Sequence, residues 1–179
     1  VAGCDRALTP QYLFWAAAGM VAGFLSLGTL TYRLNRLEVP PVVVAVVSMV
    51  VFIGIELALA AGYTENLLPL WIAFGFFGTA STLSYAILSQ AFPPTLAGRV
   101  IPAFNLLVFV AAFLMQWGLG AMIGLWPRTA AGGYAPAGYS AGFGLVVALQ
   151  VAAMGWFWCA GAGSNRRIRL SRQPRDSTV

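Results

Sequence analysis

A chain of 179 residues that is 60% apolar and only 8% charged, against about 25% charged in soluble domains, cannot present most of its surface to water. Ten arginines and no lysine face five acids, for a formal charge of +5, and there is no histidine. Without imidazole the usual general base and the commonest metal ligand are both missing, so most hydrolase templates fail, and no catalytic residue, metal site or cofactor is expected.

The hydrocarbon core of a bilayer is about 30 Å thick and a helix rises about 1.5 Å per residue, so each crossing needs roughly 20 apolar residues. Five such stretches are present, and the fold class expected is an all-α, polytopic transmembrane bundle. The first crossing runs over residues 12–30, where Gly19 and Gly23 stand four apart and let a neighbouring backbone approach. A polar exit from Thr31 to Glu38 follows. Pro40 and Pro41 open the second crossing, 42–62, whose valine-rich first half is read as helix because lipid leaves no other partner for its backbone groups. A short turn carrying Glu65 leads to the third crossing, 69–90, and a loop from Ala91 to Gly98 precedes the fourth, 100–125. Residues 127–139, rich in glycine, alanine and proline, form the longest loop, and the fifth crossing is 140–160. The bundle thus occupies 1–163. The basic segment 164–179 is too poor in apolar residues to fold alone and is expected to be a disordered tail.

Orientation follows from the arginines. Arg33, Arg36, Arg99, Arg166, Arg167, Arg169, Arg172 and Arg175 fall on one side, Arg6 and Arg128 on the other, which makes the richer side, and with it the C-terminus, cytoplasmic. Trp15, Trp71 and Trp126 near the outer ends and Trp156 and Trp158 near the inner end of the last crossing agree with an aromatic belt. Cys4 and Cys159 lie at opposite ends and are poor disulfide candidates.

Glu56 is the ionisable residue inside a span. A charge there costs at least about 2.5 kcal/mol unless paired, neutralised or near water. It is therefore a candidate for proton coupling, with a structural or snorkelling role as the alternative. In the third crossing Gly75, Gly78, Ser81, Thr82, Tyr85 and Ser89 fall within one arc of about 120°. In the fourth, Asn105 and Gln116 share a face with Ala112 and Gly120. Ser81, Thr82, Tyr85, Asn105 and Gln116 are the substrate-cavity candidates. The other reading is that small residues serve close packing and the amides bond across helices. The tail arginines either attract anionic lipid or simply set topology.

The stretch Gly28, Thr29, Leu30, Thr31, Tyr32, Arg33, Leu34, Asn35, Arg36 resembles the G-x-L-x-D-R-x-G-R loop of the major facilitator superfamily, with Tyr32 in place of the aspartate and Asn35 in place of the glycine. The run Phe92, Pro93, Pro94 through Gly98 and Arg99, then Asn105, Gln116 and Gly120, and the ending Gly138, Tyr139, Phe143, resemble later parts of the same family. The resemblance implies helices eight to twelve of a twelve-helix transporter, truncated here, with Gly28, Arg33, Arg36, Gly98 and Arg99 as cytoplasmic loop motifs. It also implies secondary active transport of a small-molecule substrate by alternating access, completed by a missing N-terminal half. The expected setting is the lipid bilayer of a bacterial inner membrane; no nucleic acid is expected as a partner. The alternative is a non-transporting membrane subunit that packs against partner helices. An intramembrane enzyme lacks every usual constellation.

Overall fold

The computed structural model describes residues 8–63, 65–129 and 132–171. Its elements are α1 (Thr9–Asn35), α2 (Pro41–Ala60), α3 (Leu67–Gly78), a 3₁₀ turn (Thr79–Thr82), α4 (Leu83–Ala91), α5 (Pro94–Ile123) and α6 (Pro136–Ser171). No strand occurs among the described residues; Arg128 and Tyr134 form an isolated bridge. Among the described residues, five helical segments are long and apolar enough to cross a membrane: Thr9–Asn35, Pro41–Ala60, Leu67–Ala91, Pro94–Ile123 and Pro136–Ala160. The chain is accordingly read as an integral membrane protein of all-helical fold. It divides into two compact units, Val1–Gly144 and Leu145–Val179.

Several ends differ from those read in the sequence. The first helix does not give way to a polar loop at Thr31. Thr31 is buried and its hydroxyl donates to the Leu27 carbonyl at 2.6 Å, so this polar residue bonds its own helix and the turns continue to Asn35. Gly28 and Arg33 therefore sit in the helix, and Arg36 caps it. Likewise Pro94 occupies the first turn of α5, where its fixed φ favours helix, and Gly98 and Arg99 are helical rather than part of a loop. The fifth span starts at Pro136 for the same reason. The helix then carries on to Ser171, taking in the first half of the basic segment expected to be disordered from 164; the remainder lies outside the described residues. Arginine and leucine are good helix formers, and cations favour a helix C-terminus.

Both ends of the α1–α2 pair are closed by the same hydrogen-bond pattern. After α1, the Val39 amide donates to the Leu34 carbonyl at 3.0 Å and the Glu38 amide to Asn35 at 3.2 Å. After α2, the Tyr63 amide donates to Ala58 at 3.0 Å and the Gly62 amide to Leu59 at 3.1 Å. These are Schellman caps, and each puts one residue in the left-handed region: Gly62 at φ 77° and Glu38 at φ 64°. Glycine takes that conformation without steric cost, whereas a glutamate pays for its Cβ.

Within the first unit the packing is uneven. α1 packs chiefly on α3, while α2 lies against α3 and α4 and α5 meets α4. The α1–α3 contact is made backbone to backbone. A Cβ added at Gly75 would strike the Ala16 carbonyl oxygen, one at Gly19 the Ile72 carbonyl oxygen, and one at Gly23 would lie 2.6 Å from the Phe76 carbonyl oxygen. Gly19, Gly23, Leu27 and Thr31 recur every four residues and are all buried, so they form one ridge of α1. Lipid tails are as apolar as leucine, so the drive for such a contact is close van der Waals packing, for which missing side chains are the means. α5 is the opposite case: none of its residues is buried, and Leu106, Leu107, Phe109, Phe113 and Trp117 are all more than 60% exposed. In water that surface would not survive; in hydrocarbon it costs nothing.

Candidate substrate-facing site

The third span is where helix regularity and polar chemistry meet. Four residues, Thr79–Thr82, wind as a 3₁₀ turn between α3 and α4. Their hydroxyls bond back along the chain. Thr79 donates to the Phe76 carbonyl at 2.7 Å, Ser81 to Gly78 at 3.1 Å and Thr82 to Thr79 at 2.8 Å; Ser84 donates to Ser81, and Ser89 to Ala86 at 2.8 Å. Each bond reaches three residues back, which competes with the α-helical ladder and favours the tighter winding. Inside lipid these side chains supply partners that a disturbed helix would otherwise lack.

The 3₁₀ turn redistributes the face predicted from a uniform helix. At 3.0 rather than 3.6 residues per turn, each residue advances about 20° further, so four residues rotate the helix beyond them by roughly 80°. Gly75 consequently packs on α1, and Gly78 faces the Phe52 ring of α2, with an added Cβ 3.4 Å from it. Ser81, Thr82 and Ser89 remain exposed. Tyr85 turns toward α5, where its hydroxyl donates to the Asn105 side-chain oxygen at 2.7 Å and its ring meets Phe104 edge-on, centroids 5.0 Å apart. Two of the five cavity candidates thus come together across the third and fourth spans. Gln116, three turns further along α5 than Asn105, is exposed on the same helix.

Pro102, which sequence reasoning missed, lies inside α5 three residues before Asn105. It has no amide hydrogen to offer the Gly98 carbonyl, so α5 is missing one rung next to the Tyr85–Asn105 bond. The signal was available as a proline within an apolar run.

Glu56 sits four residues before the end of α2 and is 4% exposed. A snorkelling carboxylate would be open at the rim, so burial argues against that alternative. Val44, Ser48, Ile55 and Leu59 share its buried face, which makes Glu56 part of the packed side of α2 rather than of its lipid side.

The loop-motif residues are arranged differently from a loop. Gly28, Arg33, Arg36, Gly98 and Arg99 are all exposed. Tyr32 lies under the Arg36 guanidinium, 5.6 Å from ring centroid to Cζ, one turn away on the same helix face. At the opposite end of the spans residues 127–129 pair with residues 133–135: the Thr129 amide donates to Gly133 at 2.7 Å, the Ala135 amide to Pro127 at 3.1 Å, and Arg128 stacks on Tyr134 at 5.4 Å.

No group of three or more metal-ligating side chains occurs among the described residues. Cys159 is free and exposed, and Cys4 lies outside the described residues. Neither a protein-family model, a curated protein nor a solved structure matches the chain.

Proposed function

We propose that this chain is part of a secondary active transporter that moves a small solute across a membrane by alternating access, with Glu56 as the group to test for proton coupling. The observation that carries the reading is the Tyr85–Asn105 hydrogen bond, which joins the third and fourth spans through polar side chains. Ser81, Thr82 and Gln116 are left uncovered on the same two spans. Polar groups in a lipid-spanning segment are costly on a lipid-facing surface, and facing a water-filled cavity removes that cost. The missing rung at Pro102 and the 3₁₀ turn at Thr79–Thr82 supply the irregular backbone that transporters place beside such cavities. The proposal includes completion by an N-terminal half, a bacterial inner membrane as the setting, and a cytoplasmic C-terminus.

The test is flux. The full-length product, reconstituted in liposomes and screened with solute mixtures, is expected to accumulate a solute above empty vesicles, and Asn105→Ala to lower that uptake at least tenfold. Glu56→Gln is expected to insert normally and to remove the pH dependence of uptake. Unchanged pH dependence returns Glu56 to a structural role. A competing reading, a membrane subunit that only packs against partners, is favoured by Gly19, Gly23 and Gly75, which are all committed to a helix contact; it predicts no flux for any solute.

A further inference from the structure

α6 is longer than a membrane is thick. Its 36 residues rise about 54 Å, against about 30 Å of hydrocarbon and about 40–45 Å with headgroups. Two features fix which part protrudes. Trp156, Phe157 and Trp158 are 79%, 51% and 63% exposed, three consecutive aromatics of the kind that settle at the membrane–water boundary. From Ser164 onward the chain is polar and carries Arg166, Arg167 and Arg169 while the helix is still intact. Measured along the axis from Ala160, where the membrane-spanning stretch ends, these residues stand about 9, 10 and 14 Å out. The first two stand little more than one Debye length, about 8 Å at physiological ionic strength, from the span's end, where a charged leaflet is attenuated but still felt.

A topology signal needs positive charge near the span but no defined height above it. The helix supplies that height, because a continuous backbone keeps three arginine positions within about 5 Å of one another along the axis, next to an aromatic boundary marker. No acidic residue occurs in the sequence between Glu65 and Asp176, so α6 itself carries no carboxylate side chain. Arginine matches phosphate better than lysine does, through paired donors in a fixed plane.

We propose that the C-terminal end of α6 is a binding site for the phosphate headgroups of anionic phospholipids, recruited to the protein's perimeter by Arg166, Arg167 and Arg169. The inference does not depend on transport, since it uses only the helix, its boundary and its charge. A near-surface arginine is expected to contribute a preference of up to about fivefold for an anionic over a zwitterionic lipid.

The experiment uses the full chain with Cys4→Ser, a fluorophore on Cys159, and bilayers containing nitroxide-labelled phosphatidylglycerol or phosphatidylcholine as short-range quenchers. Quenching by the anionic lipid is expected at several-fold lower mole fraction than by the zwitterionic one. The difference should disappear in R166Q/R167Q/R169Q and, with the arginines intact, at about 1 M salt, where the Debye length is about 3 Å. Equal quenching by the two lipids at low salt overturns the proposal, as does a preference that survives both high salt and the triple substitution. If the triple variant does not insert, the salt series on the intact chain decides alone. Inorganic phosphate at matched ionic strength separates the sources: stronger competition than chloride assigns the site to free phosphate and overturns the lipid reading.

Discussion

The α1–α3 seam and α5 are both long apolar helical surfaces, yet one is closed to a backbone-to-backbone contact and the other buries none of its residues. Hydrophobicity does not separate them. α5 is the more apolar of the two spans, with mean hydropathy 2.1 against 1.7 for α1, and it is the one with no buried residue. What separates them is side-chain size at helical spacing: Gly19 and Gly23 of α1 lie against the Ile72 and Phe76 backbone of α3 and Gly75 of α3 against that of Ala16, whereas α5 carries the exposed side chains of Leu106, Leu107, Phe109 and Phe113. In lipid, then, the residues that assemble a bundle are those that lack side chains, and the large apolar ones face the solvent.

The sharpest way to break that comparison is at Gly75. Gly75→Leu is expected to abolish the folded bundle, and Gly75→Ala to cost about 1–3 kcal/mol, because the new atom overlaps a carbonyl that cannot move aside. Gly118→Ala in α5 meets nothing within 4 Å and should be neutral or stabilising by up to about 1 kcal/mol. Detergent-titration unfolding of both variants decides; equal effects would mean that α5 is as tightly packed as the seam. Next in size is the Tyr85–Asn105 pair. A double-mutant cycle of Tyr85→Phe and Asn105→Ala should return a coupling of about 0.6 kcal/mol, the usual value for such bonds within membranes. A coupling near zero would leave the third and fourth spans joined there by the Tyr85–Phe104 ring contact alone and remove the hydrogen bond as a link between them. The smallest effect concerns the two caps. Glu38→Gly should raise stability by about 0.5–1 kcal/mol and Gly62→Ala should lower it by a similar amount, read by the same unfolding titration.

Most of the architecture was legible from composition. Runs of about 20 apolar residues place five spans because lipid leaves a backbone no alternative to helix, and Gly19 with Gly23 announced a close contact. The helix ends were less legible. Thr31 looks like an exit from the membrane but bonds the Leu27 carbonyl, and Pro94 looks like a loop residue but starts a helix. The face of the third span was misjudged for one reason: a uniform 100° step cannot anticipate a 3₁₀ turn, although the run Thr79, Ala80, Ser81, Thr82 holds three hydroxyls able to bond three residues back. Tyr85 and Asn105 stand out as polar residues in spans, but their partnership depends on that added rotation. Burial of Glu56 was beyond reach of the sequence, since nothing in an almost uniformly apolar helix says which side is covered.

The one-sided distribution of contacts carries a consequence for biosynthesis. Every residue of the α1–α3 seam has been made by Thr79, whereas α5 is complete only at Ile123. At about 5–20 residues per second, those 44 residues take roughly 2–9 s to synthesise. The nascent chain thus has time to lock its earliest helices together before the later ones exist, and it does so through a contact that asks nothing of them.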